Sequence, residues 1–416
     1  MAEPPSPPAT TLASGSPGHL STDSRSFLLL IGALTAFSPL STDMYLAAFP
    51  VMATDLHTSL DGIQGTLAAF FTGMAIGQLI HGPLSDRFGR RRPLLVGCAI
   101  YTVSSALCAL APNVHTLLAV RLLQAIGGSA GIVIVRAVVR DLYAVEDSAR
   151  VFSRLMLVMG AAPILAPLIG SGVLAVQGWR AIFWLLTAFG LAAFSSTYSM
   201  LPETHGGTPG AARPAQVLRN FWLTLSDRSF LAPTSAAALS YLALFSYLIG
   251  SPAVLIAHHH LSPTAYAVSF GAISCCFIGS AQVNARLVRR LGPRLLLFRG
   301  STALLAVSAV ELAVATIDIG GAALLIAIWM LQMCAMGFVA GNAAALALAG
   351  QGPRAGSAAA LLGSLQFAAG GLAGTLLGVL TPLSGGTAPS VAVIVVVGAG
   401  AAWLAAPWKN PAAVAA

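Results

Sequence analysis

Long apolar stretches recur along this 416-residue chain with few charges inside them, and that recurrence limits the fold more than any motif does. A helix needs about 20 apolar residues to cross the hydrocarbon core of a bilayer. Gly, Pro and charged residues punctuate the chain into twelve such segments, at roughly 27–50, 62–82, 93–111, 115–139, 152–175, 180–201, 230–257, 265–284, 293–315, 321–349, 355–381 and 388–408. Hydrophobic residues make up 57% of the chain and charged residues 8%, with a mean hydropathy of +0.84. A soluble domain would carry roughly a quarter charged residues, so this chain needs lipid around it. The expected fold class is an all-α membrane protein of twelve transmembrane helices in two six-helix, pseudo-symmetric halves.

The net charge of +8 does not point to nucleic acid, because the arginines sit in short breaks on alternate sides of the apolar segments rather than in one patch. Arg87, Arg90, Arg91 and Arg92 follow segment 2; Arg140 and Arg150 follow segment 4; Arg213, Arg219 and Arg228 follow segment 6. Arg286, Arg289, Arg290 and Arg294 follow segment 8, and Lys409 follows segment 12. The opposite breaks hold mainly Asp55, His57, Asp61, His115, Arg180, His258, His259, His260 and Asp318. Positive charge marks the cytoplasmic side, so both termini are expected there.

Organisation follows from the same punctuation. Residues 1–26 are rich in Pro, Ser and Thr and lack the basic start of a signal peptide, which predicts a disordered cytoplasmic tail. The halves then span 27–201 and 229–408, joined by a polar cytoplasmic linker at 202–228, with a short tail at 409–416. Asp86-Arg87-Phe88-Gly89-Arg90 has its best internal match in Arg289-Arg290-Leu291-Gly292-Pro293-Arg294, each after the second helix of its half. Halves so related place a substrate cavity between them near the bilayer midplane. The five cysteines lie in apolar segments without metal or redox spacing, and the histidine run at 258–260 has no flanking carboxylates, so no metal centre is expected.

Four segments carry signatures. Gly82-Pro83-Leu84-Ser85-Asp86-Arg87-Phe88-Gly89-Arg90-Arg91-Arg92-Pro93 resembles the loop 2–3 signature of the major facilitator superfamily. The glycines permit close approach and a tight turn. The resemblance implies that Asp86 caps the start of helix 11, near Arg354 to Ser357, and that the arginines pair with Asp141. Together these would latch the cytoplasmic gate. Arg121-Leu122-Leu123-Gln124-Ala125-Ile126-Gly127-Gly128 resembles the Arg-x-x-Gln-Gly-x-Gly signature, departing from it at Ala125. Pro163, Pro167, Gly170 and Gly172 lie in a segment similar to the antiporter signature of helix 5, suited to a hinge or to a seal against helix 8. Ser41-Thr42-Asp43-Met44-Tyr45-Leu46-Ala47-Ala48-Phe49-Pro50 resembles the first helix of the bicyclomycin/chloramphenicol-resistance (Bcr/CflA) branch, with Ala47 where that branch usually has proline. Arg136-Ala137-Val138-Val139-Arg140-Asp141-Leu142-Tyr143 and Gly178-Trp179-Arg180-Ala181-Ile182-Phe183 reinforce that match.

The resemblance implies a monomeric drug/proton antiporter of the bacterial inner membrane, exporting small amphipathic compounds without a cofactor; a carrier of one metabolite would bear the same signatures. No nucleophile–base pair or nucleotide loop points to an enzyme. Asp43 and Arg121 are the expected proton-coupling pair. A carboxylate in a span favours its neutral form, a nearby cation favours the charged one, and an alternating proton site needs that balance. Capping of backbone freed at Pro39 is the other use Asp43 could have, and snorkelling to the interface the other use of Arg121. Glu311 falls near the outer end of segment 9, where it can snorkel, and is left out of the site. Tyr45, Phe70, Phe71, Gln78, Gln124, Tyr241, Phe245, Tyr247, Asn342 and Gln366 are the expected cavity residues.

Overall fold

The computed structural model describes residues 25–143, 145–207, 214–384 and 386–407. The C-terminal tail expected at 409–416 and nearly all of the N-terminal one lie outside the described residues. Twelve helices are long and apolar enough to cross a membrane, and no strand occurs among the described residues. The first span is a broken pair, α1 (Arg25–Asp43) and α2 (Phe49–Asp55), joined by a 3-10 turn at Leu46–Ala48. The first half continues with α3 (Leu60–Phe88), α4 (Arg91–Ala109), α5 (Val114–Leu142), α6 (Val145–Gln177) and α7 (Trp179–Met200). A short helix, α8 (Pro214–Leu225), lies in the linker. The second half comprises α9 (Arg228–Pro252), which ends in a π-helical turn at Ala253–His258, then α10 (Pro263–Leu291), α11 (Pro293–Ile317), α12 (Gly321–Leu348), α13 (Ala355–Leu380) and α14 (Thr387–Ala405).

Local chemistry sets the helix ends. Ser59, Asn113 and Ser262 accept a hydrogen bond from the backbone N–H three residues on, at the starts of α3, α5 and α10. Gly89 and Gly292 end α3 and α10 at φ of +83° and +75°, a region open mainly to glycine, so the repeated signature makes the same turn in each half. Both helices outrun the segments expected at 62–82 and 265–284. Of the arginines placed in these breaks, Arg87 sits on the last turn of α3 and Arg289 and Arg290 on that of α10, because a helix satisfies its own backbone and continues past the hydrocarbon once its side chains turn polar, while Arg90, Arg91, Arg92 and Arg294 fall at the starts of α4 and α11.

Small residues let α1 thread between its neighbours. A side chain at Gly131 would overlap the Leu34 carbonyl, and one at Gly170 would overlap the Met44 carbonyl. Gly170→Val is therefore expected to cost about 1–3 kcal/mol, the usual penalty of overpacking, and to lower the thermal midpoint of the purified protein. An unchanged midpoint would mean that α6 can move away from α1.

The halves meet along two seams. In the first, α3 packs on α13 through Ala68 against Gly374, Phe71 against Gly370 and Gln78 against Gly363. In the second, Gly160 and Ile164 of α6 meet Ile278 and Gly271 of α10. At the end away from the arginines the closure is complete: the 3-10 turn touches α9 and α10, α2 touches the π-helical turn, and one buried cluster joins Tyr45 and Phe49 to Tyr247, Phe270 and Trp329. At the arginine-rich end α3 and α13 part, leaving a cavity of about 500 Å³ lined by both halves and by Val217, Asn220 and Phe221 of α8.

Candidate functional site

Asp43 is the last residue of α1, where the helix gives way to the 3-10 turn. It is 4% exposed, and its carboxylate accepts the Thr42 hydroxyl at 2.7 Å. From the second half, the phenols of Tyr247 and Tyr266 lie within its electrostatic reach, and the buried Tyr247 hydroxyl has no hydrogen-bond partner. Among the described residues no cation pairs with Asp43.

Arg121 does not snorkel, and it does not pair with Asp43. The guanidinium is fully buried, donating to the Gln124 side-chain oxygen at 2.6 Å and to the Ser41 carbonyl at 2.9 Å. Three rings surround it, Phe70 at 4.3 Å, Tyr45 at 4.4 Å and Phe183 at 5.7 Å from the centroid. Gln124 passes the network on to the Ser105 hydroxyl, and the Ser41 hydroxyl meets Tyr101. A break in a helix leaves its last carbonyls without partners; Arg121 supplies one, and so fixes the broken end that carries Asp43.

At the arginine-rich end Arg90 is the hub. It donates to Asp141 at 2.9 Å, to Asp86 at 2.6 Å and to the Ser85 hydroxyl at 2.9 Å. Glu203, which the sequence reading did not single out, accepts the backbone N–H groups of Arg90 and Arg91 and so caps α4 with a carboxylate. Arg91 also donates to the Tyr198 carbonyl, while Arg87 lies over Phe88. Gly82 and Asp86 line the cavity, as do Gly356 and Ser357 at the start of α13. The expected cap between Asp86 and that helix is not made here: no side chain caps α13, because the cavity separates the two. Asp227 instead ties the linker to the approach to α13. The Ser229 hydroxyl, Gln351 and Arg354 hold its carboxyl below the ordinary carboxylate range.

The helix 5 residues divide. Pro167 and Gly170 are buried, Pro163 is half-buried, and Gly172 is exposed with open space beside it. Gly170 packs on Met44, just past the end of α1, rather than on α10, whose contacts fall earlier, at Gly160 and Ile164.

Of the expected cavity residues, Gln78 alone lines the open cavity among the described residues. Tyr45 and Gln124 belong to the Arg121 network, and Asn342 donates to Asn284 within the second half. Tyr241 lies within electrostatic reach of Arg136 and packs on Phe245 of a ring cluster with Phe71 and Phe367. The rest of the lining is supplied by Ser85, Arg136, Arg140 and Ser357, among others. Glu311 is a further correction. It is 1% exposed in α11 and accepts hydrogen bonds from the Trp329 indole and the Gln332 amide of α12. Both donors come from the neighbouring helix, so the interior is richer in partners than the interface. No cluster of three or more metal-ligating side chains occurs among the described residues.

The sequence profile described as Major Facilitator Superfamily matches residues 31–375. The chain belongs to that superfamily. This facilitator is 34% identical over 331 residues to the uncharacterized MFS-type transporter YdgK of Bacillus subtilis, covering 78% of this chain and 81% of the relative. It is 30% identical to the bicyclomycin resistance protein homolog of Haemophilus influenzae over 65% of this chain and 68% of that one. To the chloramphenicol resistance protein of Pseudomonas aeruginosa it is 32% identical over 78% of this chain and 75% of that one. These relatives place the facilitator in the bicyclomycin/chloramphenicol-resistance branch. A bacterial homologue of the lysosomal transporter Spinster has the same fold, with a TM-score of 0.74 over 92% of this chain and 97% of that one at 16% identity. The facilitator is thus a multi-pass membrane transporter of small molecules, not an enzyme.

Proposed function

We propose that this facilitator is a drug/proton antiporter of the bacterial inner membrane. A small amphipathic compound enters the cavity from the cytoplasm, the halves rock about their seams, and the compound leaves on the opposite face while a proton returns through Asp43. The observation that carries the reading is Asp43 itself: a buried carboxylate at a helix break, with one hydrogen bond and no cation, on the seam that must open outward. Broken helices at the interface of repeats are where such carriers hold coupling ions. Arginine enrichment supports placing the cavity mouth and both termini in the cytoplasm, and the seams support a functional unit of one chain.

On this reading the cavity belongs to the inward-open state. In the outward-open state α13 would swing toward α3 and bring its N-terminus to Asp86, an interaction worth about 0.3–1 kcal/mol, or about 2 when partly buried. That suffices to bias a near-balanced equilibrium. The test is drug flux in proteoliposomes with an imposed pH gradient. Acid inside should drive drug uptake and release protons, and a protonophore should collapse both. Uptake accompanied by proton influx would make the carrier a symporter, and flux indifferent to the gradient would make it a uniporter.

A further inference from the structure

We infer that Arg136 is the ligand-binding cation of the cavity and that the compounds carried are small organic anions with an apolar, aromatic body. This rests on the export reading above and names its substrate class. Arg136 lies six residues before the end of α5, about 9 Å along the helix axis. An arginine at that depth is costly unless paired or hydrated. It has neither a hydrogen-bond nor an ion-pair partner among the described residues, and it is open to the cavity while protein surrounds it. The other lining charges do not neutralise it. Asp86 is the one carboxylate in the lining and is engaged by Arg90, whereas Arg140 adds a second cation without a partner among the described residues.

Asp43 and Glu311, which would suit a cation, lie away from the lining in buried networks of their own. The cavity therefore attracts anions and repels lipophilic cations. The apolar part of the same lining is supplied by Val133, Ala137, Val217, Phe221 and Leu348. A carboxylate on Arg136 would hold a planar apolar body against those side chains, the Phe221 ring among them. A guanidinium binds a carboxylate through two parallel hydrogen bonds, which gives it orientation as well as attraction.

The experiment compares 2-naphthoate, 2-naphthamide and tetraphenylphosphonium, by binding to the purified full-length protein and by flux in proteoliposomes. Naphthoate should bind at least tenfold tighter than the amide, and tetraphenylphosphonium more weakly than either. Arg136→Gln should bring naphthoate binding down to the level of the amide in the same variant, and Arg136→Lys should keep much of the preference. Monodisperse elution of both variants checks that they fold. Equal binding of acid and amide, a preference that survives Arg136→Gln, preferred binding of the cation, or binding of none of the three overturns the inference. Naphthoate bound through Arg136 but never driven by a pH gradient would instead overturn the antiport reading and leave the anion site standing.

Discussion

Asp43→Asn is expected to abolish uphill transport while leaving substrate binding within about threefold of the parent. Asparagine keeps an oxygen for the Thr42 hydroxyl and nearly the same volume, so the broken end of α1 can stay in place. It cannot take up a proton. For one proton per compound, a gradient of one pH unit is worth about 1.4 kcal/mol and sustains a tenfold drug gradient; the variant should reach a ratio near one. Charge counting adds a second readout. One inward proton exchanged for a neutral compound moves one positive charge inward, exchange for a monovalent cation moves none, and exchange for a monovalent anion moves two. Membrane potential contributes about 2.3 kcal/mol per charge per 100 mV, so an anion should be driven twice as steeply as a neutral compound. Flux measured with pH and potential imposed separately resolves all three cases. Undiminished accumulation by Asp43→Asn would move the proton site elsewhere, first to Glu311, a second buried carboxylate without a cation.

The spans were legible because the bilayer imposes one length and one composition on every helix that crosses it. The four signature segments were legible because each is contiguous, and Arg90, Asp86 and Asp141 do meet at one hub. What escaped the sequence was partnership between distant residues. Asn342 reads as a cavity residue until Asn284 is found opposite it, and Glu311 reads as an interfacial side chain until Trp329 and Gln332, one helical turn apart on α12, are found facing it. Hydropathy places a residue along the membrane normal and is silent about which side of its helix faces a neighbour. The linker helix was a different omission, since Val217, Leu218, Phe221, Trp222 and Leu225 repeat at helical spacing and signal an amphipathic face. Arg136 was quoted as part of a family motif, but its lack of a partner is a property of the cavity and is written nowhere in the chain.

The second large effect is expected at Arg121, whose role differs from that of a simple counter-ion. Were α1 to continue past Asp43, the Ser41 carbonyl would accept from the backbone four residues on; the break removes that partner and Arg121 replaces it. A cation at a helix C-terminus also meets the negative end of the helix dipole. Arg121→Met keeps the bulk and removes both charge-assisted hydrogen bonds, each worth about 1.5–3 kcal/mol, leaving the Ser41 carbonyl buried without that donor and the Gln124 oxygen with only the weak Cys108 thiol. The thermal midpoint of the purified protein should fall by about 10 °C, on the order expected for a loss of several kcal/mol. Arg121→Lys, which can reach one acceptor but not span two, should fall between the variant and the parent. Because the broken end carries Asp43, coupling should fail along with stability: a variant that still transports should do so with a pH dependence displaced from the parent's. A parental midpoint with a parental pH profile in Arg121→Met would show that the break in α1 holds itself, and Arg121 would lose its positioning role.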